Sequence, residues 1–412
     1  MKYGLIGGRL SHSFSPEIHN RLDSNPYLLT ELKEEELKPF LEERDFIGIN
    51  VTIPYKTAVI PYLDALDPIA KEIGAVNTVV NRNGKLTGYN TDFFGMKLMF
   101  ERFSLSVKDK TVAVLGTGGT SMTAMALCKA LGAKAVYRTS RYEGEGVITY
   151  GELYSIADKI DIIINTTPVG MYPDIDSCPV DIDKFPTLSG VADVIYNPLR
   201  SALLMKAEKR GICVASGLYM LVAQGLIASE KFLEKEYGGE KLDGLYSELL
   251  SKKESIVLIG MPSSGKSTVG KRIAELLGRE FIDTDKLIAD SSGREISEIF
   301  AEGGEPLFRE IESAAIKEAA KKSGAVIATG GGAVLREENI ERLKRNGRIF
   351  FLDRAVEELA PTPDRPLALN KEAIYSLYEK RYPLYEQAAD VIVVVRGNAE
   401  DVAKEIIGEL KK

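Results

Sequence analysis

The chain contains few of the residues that most often carry acid–base and metal chemistry. Histidine occurs only twice among 412 residues, at His12 and His19. This scarcity argues against a histidine triad or a histidine metal cluster, so proton transfer must come from Lys, Asp, Glu or Tyr. The three cysteines, Cys128, Cys178 and Cys213, form no C-x-x-C pair. We expect buried free thiols rather than disulfides or metal ligands.

Long apolar runs and an excess of positive charge are also missing. No stretch approaches the roughly 18 apolar residues of a membrane span, and glycine interrupts the first seven residues too early for a signal peptide. We therefore expect a cytoplasmic protein with no membrane partner. The net charge of −7 and the pI of about 5.3 argue against a nucleic-acid-binding surface. They leave room for local basic pockets that bind phosphate.

The length and the hydrophobic pattern predict two or three α/β domains. Short apolar strands alternate with helical segments over residues 1–102, and residues 103–240 repeat this pattern in a way that predicts a parallel, doubly wound sheet. A helical run over residues 218–237 precedes a polar segment, residues 241–254, which we interpret as a linker. Strands and helices alternate again over residues 255–412. The chain has no internal repeat.

The run GMPSSGKST, from Gly260 to Thr268, is the most informative in the chain. It follows an apolar strand pattern and precedes a segment of helical periodicity. In this setting G-x-x-x-x-G-K-[ST] predicts a phosphate-binding P-loop, with Lys266 reaching the β- and γ-phosphates and Ser267 ligating Mg²⁺. The alternative is a glycine-rich turn that only joins two elements. The predicted ATP contacts are Gly260, Ser264, Gly265, Lys266, Ser267 and Thr268.

A second glycine loop lies at residues 116–121, where Ser121 replaces the third glycine of a dinucleotide fingerprint. About 20 residues further on, a NAD site carries Asp or Glu for the ribose 2′-hydroxyl. This chain carries Arg138 and Arg141 there, which favours the 2′-phosphate of NADP. The alternative is that both are ordinary solvated cations. The predicted cofactor contacts of this region are Gly116, Gly118, Gly119, Arg138, Thr139 and Arg141.

Six polar motifs are dispersed through the first 240 residues. They are SHSFSP with HN (residues 11–20), NVTIPYK (50–56), GAVNT (74–78), GYNTD (88–92), NTTPVGM (165–171) and GLYMLVAQ (217–224). Through them, residues 1 to about 240 resemble shikimate dehydrogenase along their whole length. The resemblance implies a substrate-binding domain to which helix 218–237 returns, a Rossmann NADP-binding domain, and reduction of 3-dehydroshikimate to shikimate with NADPH.

The resemblance also implies roles for single residues. Lys56 and Asp92 would be the catalytic pair, and a Lys beside a carboxylate is able to pass a proton to a developing alkoxide. Taken singly, these residues have simpler interpretations, Lys56 as a solvated cation and Ser13 and Ser15 as helix caps. The implied substrate-binding residues are Ser13, Ser15, Thr52, Asn77, Asn90 and Gln224. Further implied cofactor contacts are Tyr196, Gly217 and Met220.

Acidic and basic motifs follow the P-loop in a fixed order. Asp283 and Asp285 end a predicted strand, where they are placed to divide magnesium binding and contact with an acceptor hydroxyl. The motifs F-R-x-x-E, G-G-G, R-P-L and R-x-x-x-Y come next. With these motifs, residues 255–412 resemble shikimate kinase, which implies an NMP-kinase-like P-loop fold and phosphorylation of the shikimate 3-hydroxyl by ATP.

The kinase resemblance assigns the remaining residues. Ser267 and Asp283 would hold Mg²⁺, Asp285 would bind and activate the acceptor hydroxyl, and Arg365 would close from a lid onto the transferred phosphate. Two arginines would clamp the substrate carboxylate bidentately. The implied substrate-binding residues are Asp285, Arg309, Gly330, Gly331, Gly332 and Arg381.

Two departures from these families are visible. Ser201 stands where the dehydrogenase family usually has Thr, which keeps the hydroxyl. The kinase lid, Glu357 to Asp364, is short, acidic and twice broken by proline, and it lacks an arginine expected to stack on adenine. We therefore predict a high Michaelis constant for ATP.

The sequence thus favours a bifunctional enzyme of the shikimate pathway that uses NADP(H), ATP and Mg²⁺ on two small-molecule substrates. In a second hypothesis, one half serves as a nucleotide-dependent regulatory or binding module, although Lys56, Asp92, Lys266 and Asp285 are all present. A quinate-using or NAD-dependent dehydrogenase and a different small-molecule P-loop kinase also stay open, as does homo-oligomerisation.

Overall fold

The computed structural model describes residues 2–10, 13–361 and 370–410. It divides into two compact units. The first contains Met1–Tyr196 and Ser201–Leu249, and the second contains Asn197–Arg200 and Leu250–Lys412. Each unit is α/β, in agreement with the predicted fold class.

The first unit begins with a mixed sheet of six strands among the described residues, in the order β2-β1-β3-β5-β6-β4. The neighbours β1–β2, β1–β3 and β4–β6 are parallel, whereas β3–β5 and β5–β6 are antiparallel. The elements are β1 Tyr3–Gly7, α1 Ser15–His19, β2 Tyr27–Glu31, α2 Glu34–Glu43, β3 Gly48–Val51, a 3₁₀ turn Ile60–Tyr62, β4 Ala65–Leu66, α3 Pro68–Ile73, β5 Thr78–Arg82, β6 Lys85–Tyr89 and α4 Thr91–Arg102.

Local sequence explains the centre of this sheet. Every residue of β1 and β3 is buried, as expected for strands covered on both faces. The hairpin between β5 and β6 turns at Asn83 and Gly84, whose φ angles are 53° and 81°. Positive φ at both central residues is typical of the tight turn that an Asn-Gly pair forms. The residue types at this position therefore explain the turn between β5 and β6.

The same unit contains a second, fully parallel sheet, with the order β12-β11-β10-β7-β8-β9 in the described part of the chain. The strand order reverses at β7, which lies between β10 and β8, so the doubly wound prediction is confirmed. The elements are β7 Thr111–Leu115, α5 Gly119–Ala130, β8 Ala135–Ser140, β9 Ile148–Thr149, α6 Tyr150–Ser155, a 3₁₀ turn Ala157–Lys159, β10 Ile162–Asn165, a 3₁₀ turn Ile182–Lys184, β11 Gly190–Asp193, α7 Ala202–Lys209, β12 Cys213–Ser216, α8 Gly217–Leu233 and α9 Gly239–Lys253.

Helix α8 returns to the first sheet. A side chain on Gly48 of β3 would lie 2.0 Å from Phe232 of α8, and one on Gly95 of α4 would lie 2.9 Å from the Met220 carbonyl oxygen. Glycine at both positions therefore allows α8 to pack closely on β3 and α4. This contact brings Gln224 of α8 to Asn77, among the polar residues at one end of the first sheet.

Residues 241–254, the predicted linker, lie mostly within helix α9. Leu242, Leu245 and Leu249 of this helix are buried, whereas its remaining side chains are largely exposed. The apolar spacing of three and four residues is that of an amphipathic helix. This stretch is thus regular structure rather than an extended coil.

The second unit contains a parallel sheet whose strands have the order β14-β15-β13-β16-β17 among the described residues. The P-loop strand β13 lies at its centre, where all five of its residues are buried. The elements are β13 Ser255–Ile259, α10 Lys266–Leu277, β14 Phe281–Asp283, α11 Thr284–Ser292, α12 Ile296–Ala320, β15 Val326–Ala328, a 3₁₀ turn Ala333–Leu335, α13 Glu337–Asn346, β16 Gly347–Asp353, a 3₁₀ turn Val356–Glu358, α14 Lys371–Ala388, β17 Val391–Val394 and α15 Ala399–Glu409.

The state of the cysteines and the character of the helices bear on two expectations from the composition. Cys128, Cys178 and Cys213 are free. Burial raises the pKa of the Cys128 thiol to about 12, so this thiol stays protonated. Among the described residues, no helix has the length and apolar character needed to cross a membrane.

Candidate active sites

An ion pair lies at the junction of the two sheets of the first unit. The Lys56 ammonium donates to Asp92 Oδ2 at 2.5 Å and to Thr120 Oγ1 at 3.1 Å. The Lys56 and Asp92 side chains are 13% and 8% exposed. Lys56 follows β3, Asp92 lies in the first turn of α4, and Thr120 belongs to the second glycine loop. The structure therefore brings the two predicted catalytic residues together beside the predicted cofactor loop.

Buried amides surround this pair. Asn77 Nδ2 donates to Thr91 Oγ1 at 2.9 Å and to Gln224 Oε1 at 3.3 Å. Asn90 accepts from the Phe93 N–H at 3.0 Å as the N-cap of α4, and its amide group donates to Thr123 Oγ1 at 3.1 Å. The cap and the predicted binding role are compatible, because each amide has several hydrogen-bonding sites.

The predicted serines form a separate small group. Ser13 Oγ accepts from the Ser15 N–H at 3.2 Å and donates to Ser15 Oγ at 3.1 Å. Helix α1 begins at Ser15 itself, so the simpler interpretation of Ser15 as its cap is wrong. Tyr196 packs on Phe14 with 5.1 Å between ring centroids, and burial raises its pKa. The predicted residue Thr52 is half-buried after β3, in contact with Gly7.

The second glycine loop fits a dinucleotide. Gly116 has a φ of 112°, a conformation that favours glycine. A side chain on Gly118 would meet no described atom within 4 Å, whereas one on Gly119 would lie 3.0 Å from the Lys56 Cβ. The N-terminus of α5 follows with no side-chain cap. Its free N–H groups suit a pyrophosphate, and the loop lies against the Lys56 side chain.

The cations at the end of β8 differ in exposure. Arg138 donates from Nη2 to the Thr117 carbonyl oxygen of the glycine loop, and Arg141 is exposed. Thr139 is fully buried, and its carbonyl oxygen accepts from the Gly116 N–H at 2.8 Å. The burial of Thr139 thus argues against its predicted cofactor contact, whereas Arg138 lies at the glycine loop.

The start of α8 contains the last two predicted cofactor contacts. Gly217 lies so close to the preceding loop that a side chain there would come within 2.3 Å of the Val194 carbonyl oxygen. Met220, one turn further along α8, is buried. Any substitution of Gly217 would displace the loop that leads to Tyr196.

A buried carboxyl group connects the loops behind this region. Asp193 accepts from Asn165 Nδ2 at 3.0 Å, from the Ile195 N–H at 3.1 Å and from Ser201 Oγ at 2.5 Å. It is completely buried, and burial raises its pKa to about 7 against the stabilising effect of these hydrogen bonds. Ser201, the residue that departs from the family's usual Thr, therefore keeps its hydroxyl for Asp193.

Asp193 is expected to make the stability of the first unit fall as pH rises from about 4 to about 7. Its pKa is 3.8 ordinarily and about 7 in the folded protein, so the folded state holds a proton that the unfolded chain releases. Asp193→Asn reproduces the protonated form, since its amide donates to Ser201 while its oxygen accepts from the two N–H groups.

Thermal unfolding of wild type and Asp193→Asn at pH 5 and pH 8 checks this expectation. The wild-type melting temperature should fall relative to the variant between these values, by about 2 to 4 °C for each kcal/mol lost. Parallel pH profiles of the two proteins would contradict the assignment of the shift to Asp193.

The P-loop of the second unit has the predicted phosphate-binding backbone. Gly260 and Gly265 have φ angles of 145° and 98°. Lys266 is buried, and its ammonium group donates to the Gly260 and Met261 carbonyl oxygens at 2.9 and 2.8 Å. The Ser264 hydroxyl is buried with no hydrogen-bond partner among the described residues. Thr268 is exposed in the first turn of α10.

Two acidic residues lie beside the P-loop, as predicted. Ser267 Oγ donates to Asp283 Oδ2 at 2.6 Å, while Asp283 Oδ1 accepts from the Asp285 N–H at 3.0 Å. A hydroxyl and a carboxylate in contact at a phosphate loop suit Mg²⁺, which keeps several waters and phosphate oxygens as ligands. The carboxylate of Asp285 lies further along, toward the triple glycine.

The triple glycine allows charged groups to approach one place. A side chain on Gly330 would lie 2.7 Å from Asp285 Oδ1, one on Gly331 2.9 Å from the Pro262 ring, and one on Gly332 2.0 Å from Arg309 Nη1. Because glycine has no side chain, Asp285, Arg309 and the P-loop are able to approach the backbone closely at these positions.

Both predicted arginines are buried and partnered. Arg309 Nη1 donates to Glu312 Oε2 at 2.6 Å, and its Nη2 donates to Glu305 Oε1 at 2.8 Å. Burial raises the pKa of Glu312, which Arg309 opposes. Arg381 Nη1 donates to the Gly331 carbonyl oxygen at 3.2 Å. Both cations thus lie at the triple glycine, while the predicted lid residue Arg365 lies outside the described residues.

The structure adds residues to which sequence reasoning assigned no role. Thr120 contacts Lys56, Glu312 contacts Arg309, and Tyr385 Oη donates to the Gly331 carbonyl oxygen at 2.5 Å. Each of these residues belongs to a motif that is recognisable in the sequence. The residue type alone did not indicate the contact partner, because these contacts depend on tertiary packing.

Family models match both parts of the chain. A model described as the shikimate dehydrogenase substrate binding domain matches residues 5–79. A model described as shikimate kinase matches residues 262–411. The shikimate dehydrogenase (NADP(+)) of Clostridium beijerinckii is 38% identical over 262 residues, which cover 60% of this chain and 96% of that relative.

Solved structures extend the similarity to the fold. Shikimate dehydrogenase 1 from Peptoclostridium difficile has a TM-score of 0.56 at 38% identity, covering 60% of this chain and 98% of its own. The Thermus thermophilus shikimate 5-dehydrogenase in complex with NADP(H) and shikimate has a TM-score of 0.54 at 28% identity, covering 60% and 99%. The chain therefore belongs to the shikimate dehydrogenase family, and its residues 262–411 form a shikimate kinase domain.

Proposed function

We propose that the chain catalyses two consecutive reactions, reduction of 3-dehydroshikimate to shikimate with NADPH and phosphorylation of shikimate by ATP. The observation that carries the first is the Lys56–Asp92 pair, 2.5 Å apart and 3.1 Å from Thr120 of the cofactor loop. For the second, it is the meeting of Asp285 and Arg309 at the triple glycine beside the P-loop.

The first reaction needs a proton at the ketone oxygen. NADPH supplies the hydride when it is bound. Lys56, held by Asp92 and largely screened from water, donates the proton from Nζ to the developing alkoxide. Asp92 orients the ammonium group and balances its charge. In the reverse direction the same pair accepts the proton.

The neutral polar residues near this pair recognise the substrate. They come from one end of the first sheet and from a helix packed on it, and they are Ser13 and Ser15 after β1, Thr52 after β3, Asn77 before β5, Asn90 before α4 and Gln224 within α8. Such a set supplies donors and acceptors for hydroxyls and a carboxylate without added charge. For the cofactor, the glycine loop holds the pyrophosphate, and Arg138 and Arg141 bind the 2′-phosphate.

The second reaction depends on positioning and charge. Lys266 binds the β- and γ-phosphates, while Ser267 and Asp283 hold Mg²⁺ through oxygen ligands. Asp285 binds the acceptor hydroxyl and accepts its proton. Arg309 and Arg381 bind the shikimate carboxylate around the triple glycine, and Arg365 is proposed to contact the transferred phosphate.

A coupled assay tests the proposed function. The full chain is mixed with 3-dehydroshikimate, NADPH, ATP and Mg²⁺, and both cofactors are followed. We expect one NADPH oxidised and one ATP consumed per substrate, with no ATP consumed when NADPH is omitted. Failure of ATP consumption when shikimate itself is supplied would reduce the second unit to a binding module. Parallel reactions with NADH and with quinate separate the nearer dehydrogenase hypotheses.

The short lid leads to a quantitative prediction. Because Glu357 to Asp364 lacks the arginine expected on adenine, the Michaelis constant for ATP should exceed that of kinases with a full lid. Steady-state kinetics at saturating shikimate measure it. A value in the usual range of full-lid enzymes would contradict the prediction.

Tyr385 is proposed to position the triple glycine for shikimate. It is fully buried, it stacks on Phe351 with 5.0 Å between ring centroids, and its hydroxyl donates to the Gly331 carbonyl oxygen. Tyr385→Phe removes this hydrogen bond, worth about 1 kcal/mol, together with the contact of the hydroxyl with Arg381. We expect the Michaelis constant for shikimate to rise about fivefold.

Tyr382→Phe provides the matched control. Tyr382 lies on the same helix, α14, as Tyr385. Its hydroxyl donates to Asp353 of β16 at 3.3 Å rather than to the triple glycine. This variant should leave the Michaelis constant for shikimate unchanged, and the constant for ATP should change in neither variant. Equal effects of the two substitutions would assign them to packing of α14.

A further inference from the structure

Arg354 lies beside the P-loop, and neither proposed reaction uses it. It directly follows β16, which pairs with the P-loop strand β13 so that Phe351 lies opposite Ile259. The carboxyl ends of these parallel strands meet at one edge of the sheet. There a methyl group added to Gly265 would lie 3.9 Å from Arg354 Nη2, which is van der Waals contact. The guanidinium therefore lies next to the loop that cradles phosphate.

The hydrogen-bonding groups of Arg354 are only partly used. Nη1 donates to Glu358 Oε2 at 3.3 Å, a long contact. Nε is buried and has no acceptor among the described residues. The side chain is 27% exposed. A buried donor without an acceptor costs free energy, and a ligand oxygen at this place would recover it.

A second contact holds the segment after β16 against the P-loop. Ser263 adopts a φ of 65°, a left-handed conformation that is unfavourable for serine. Its hydroxyl donates to the Ala360 carbonyl oxygen at 2.8 Å. Backbone strain at Ser263 thus coincides with a hydrogen bond that joins the P-loop to the end of residues 354–360.

We propose that Arg354 binds a phosphate oxygen of the nucleotide at the P-loop, an inference that rests on the proposed kinase function. Arginine suits this position because its guanidinium stays charged and presents several N–H groups to phosphate oxygens. It adds a cation on the β16 side of the P-loop, opposite the acidic pair of β14. Arg354 thus contributes nucleotide affinity in a kinase whose lid lacks the arginine expected to stack on adenine.

Calorimetric titration of the full chain with Mg-ADP tests this contact. Arg354→Ala should weaken ADP binding about tenfold, and Arg354→Lys should recover part of the loss. Glu358→Gln breaks the ion pair but keeps the arginine, so it should bind ADP at least as tightly as wild type. The proposal is overturned if Arg354→Ala binds within twofold of wild type, or if Glu358→Gln weakens binding as much as Arg354→Ala.

Two further measurements distinguish failure of the Arg354 contact from failure of the proposed kinase function. Dehydrogenase activity should be unchanged in all three variants, because Arg354 and Glu358 belong to the second unit. If wild type binds Mg-ADP but does not phosphorylate shikimate, the proposed kinase function fails, while the titration still decides whether Arg354 contacts the nucleotide. If Arg354→Ala raises the Michaelis constant for ATP but not for shikimate, the contact operates during turnover.

Discussion

Lys56→Ala is expected to lower kcat for 3-dehydroshikimate reduction by about a thousandfold, the usual loss when a positioned proton donor is removed. The ammonium group lies 2.5 Å from Asp92 and is 13% exposed, so bulk water is poorly placed to replace it. The Michaelis constant for NADPH should change little, because the cofactor loop remains. NADPH oxidation at saturating substrate measures the loss.

Two control variants test whether the loss is due to proton transfer by Lys56. Lys56→Arg keeps a cation but holds its proton too tightly to transfer it, so it should remain nearly as inactive. Lys97→Ala removes an exposed lysine from α4, the helix that carries Asp92, and should retain full activity. Recovery of activity in Lys56→Arg would show that charge, and not proton transfer, is what Lys56 supplies.

Lys266→Met is expected to reduce shikimate phosphorylation by a factor of about 10² to 10³, as loss of one transition-state donor does. Methionine nearly matches the shape of the lysine stem but removes the charge from a buried site. It also leaves the Gly260 and Met261 carbonyl oxygens without their donor. ADP release at saturating ATP and shikimate measures the effect.

The matched control for this substitution is Lys271→Met, an exposed lysine of the same helix. It should phosphorylate shikimate at the wild-type rate. Lys266→Met should reduce 3-dehydroshikimate normally, just as Lys56→Ala should phosphorylate shikimate normally. If either substitution silences both reactions, the two sites are not independent.

Motifs made of consecutive residues were predictable from the sequence because local backbone chemistry determines them. The P-loop with its left-handed glycines, the Asn83-Gly84 turn and the dinucleotide loop follow from residue types that few other conformations accept. Their placement at the carboxyl ends of parallel strands then follows from the topology. The role of Lys56, by contrast, was implied by the resemblance to shikimate dehydrogenase, and its position beside the cofactor loop was not predicted.

Pairings between distant residues were not predictable in the same way. The partnership of Arg309 with Glu305 and Glu312, and that of Asp193 with Ser201, depend on burial that one sequence does not reveal. Thr139 was predicted beside the arginines as a cofactor contact, but the pleat of β8 turns its side chain into the core. The helix over residues 241–254 was not predicted because the segment is mostly polar and only three leucines are buried.

The triple glycine also limits how acceptor selectivity could be redesigned. Side chains at Gly330, Gly331 or Gly332 would overlap atoms of Asp285, Pro262 or Arg309 at distances of 2.0 to 2.9 Å. Even alanine at any of these positions would displace atoms of Asp285, Pro262 or Arg309. Engineering the kinase to accept a larger or smaller polyol must therefore change the walls of the pocket, and evolution of a new acceptor would face the same restriction.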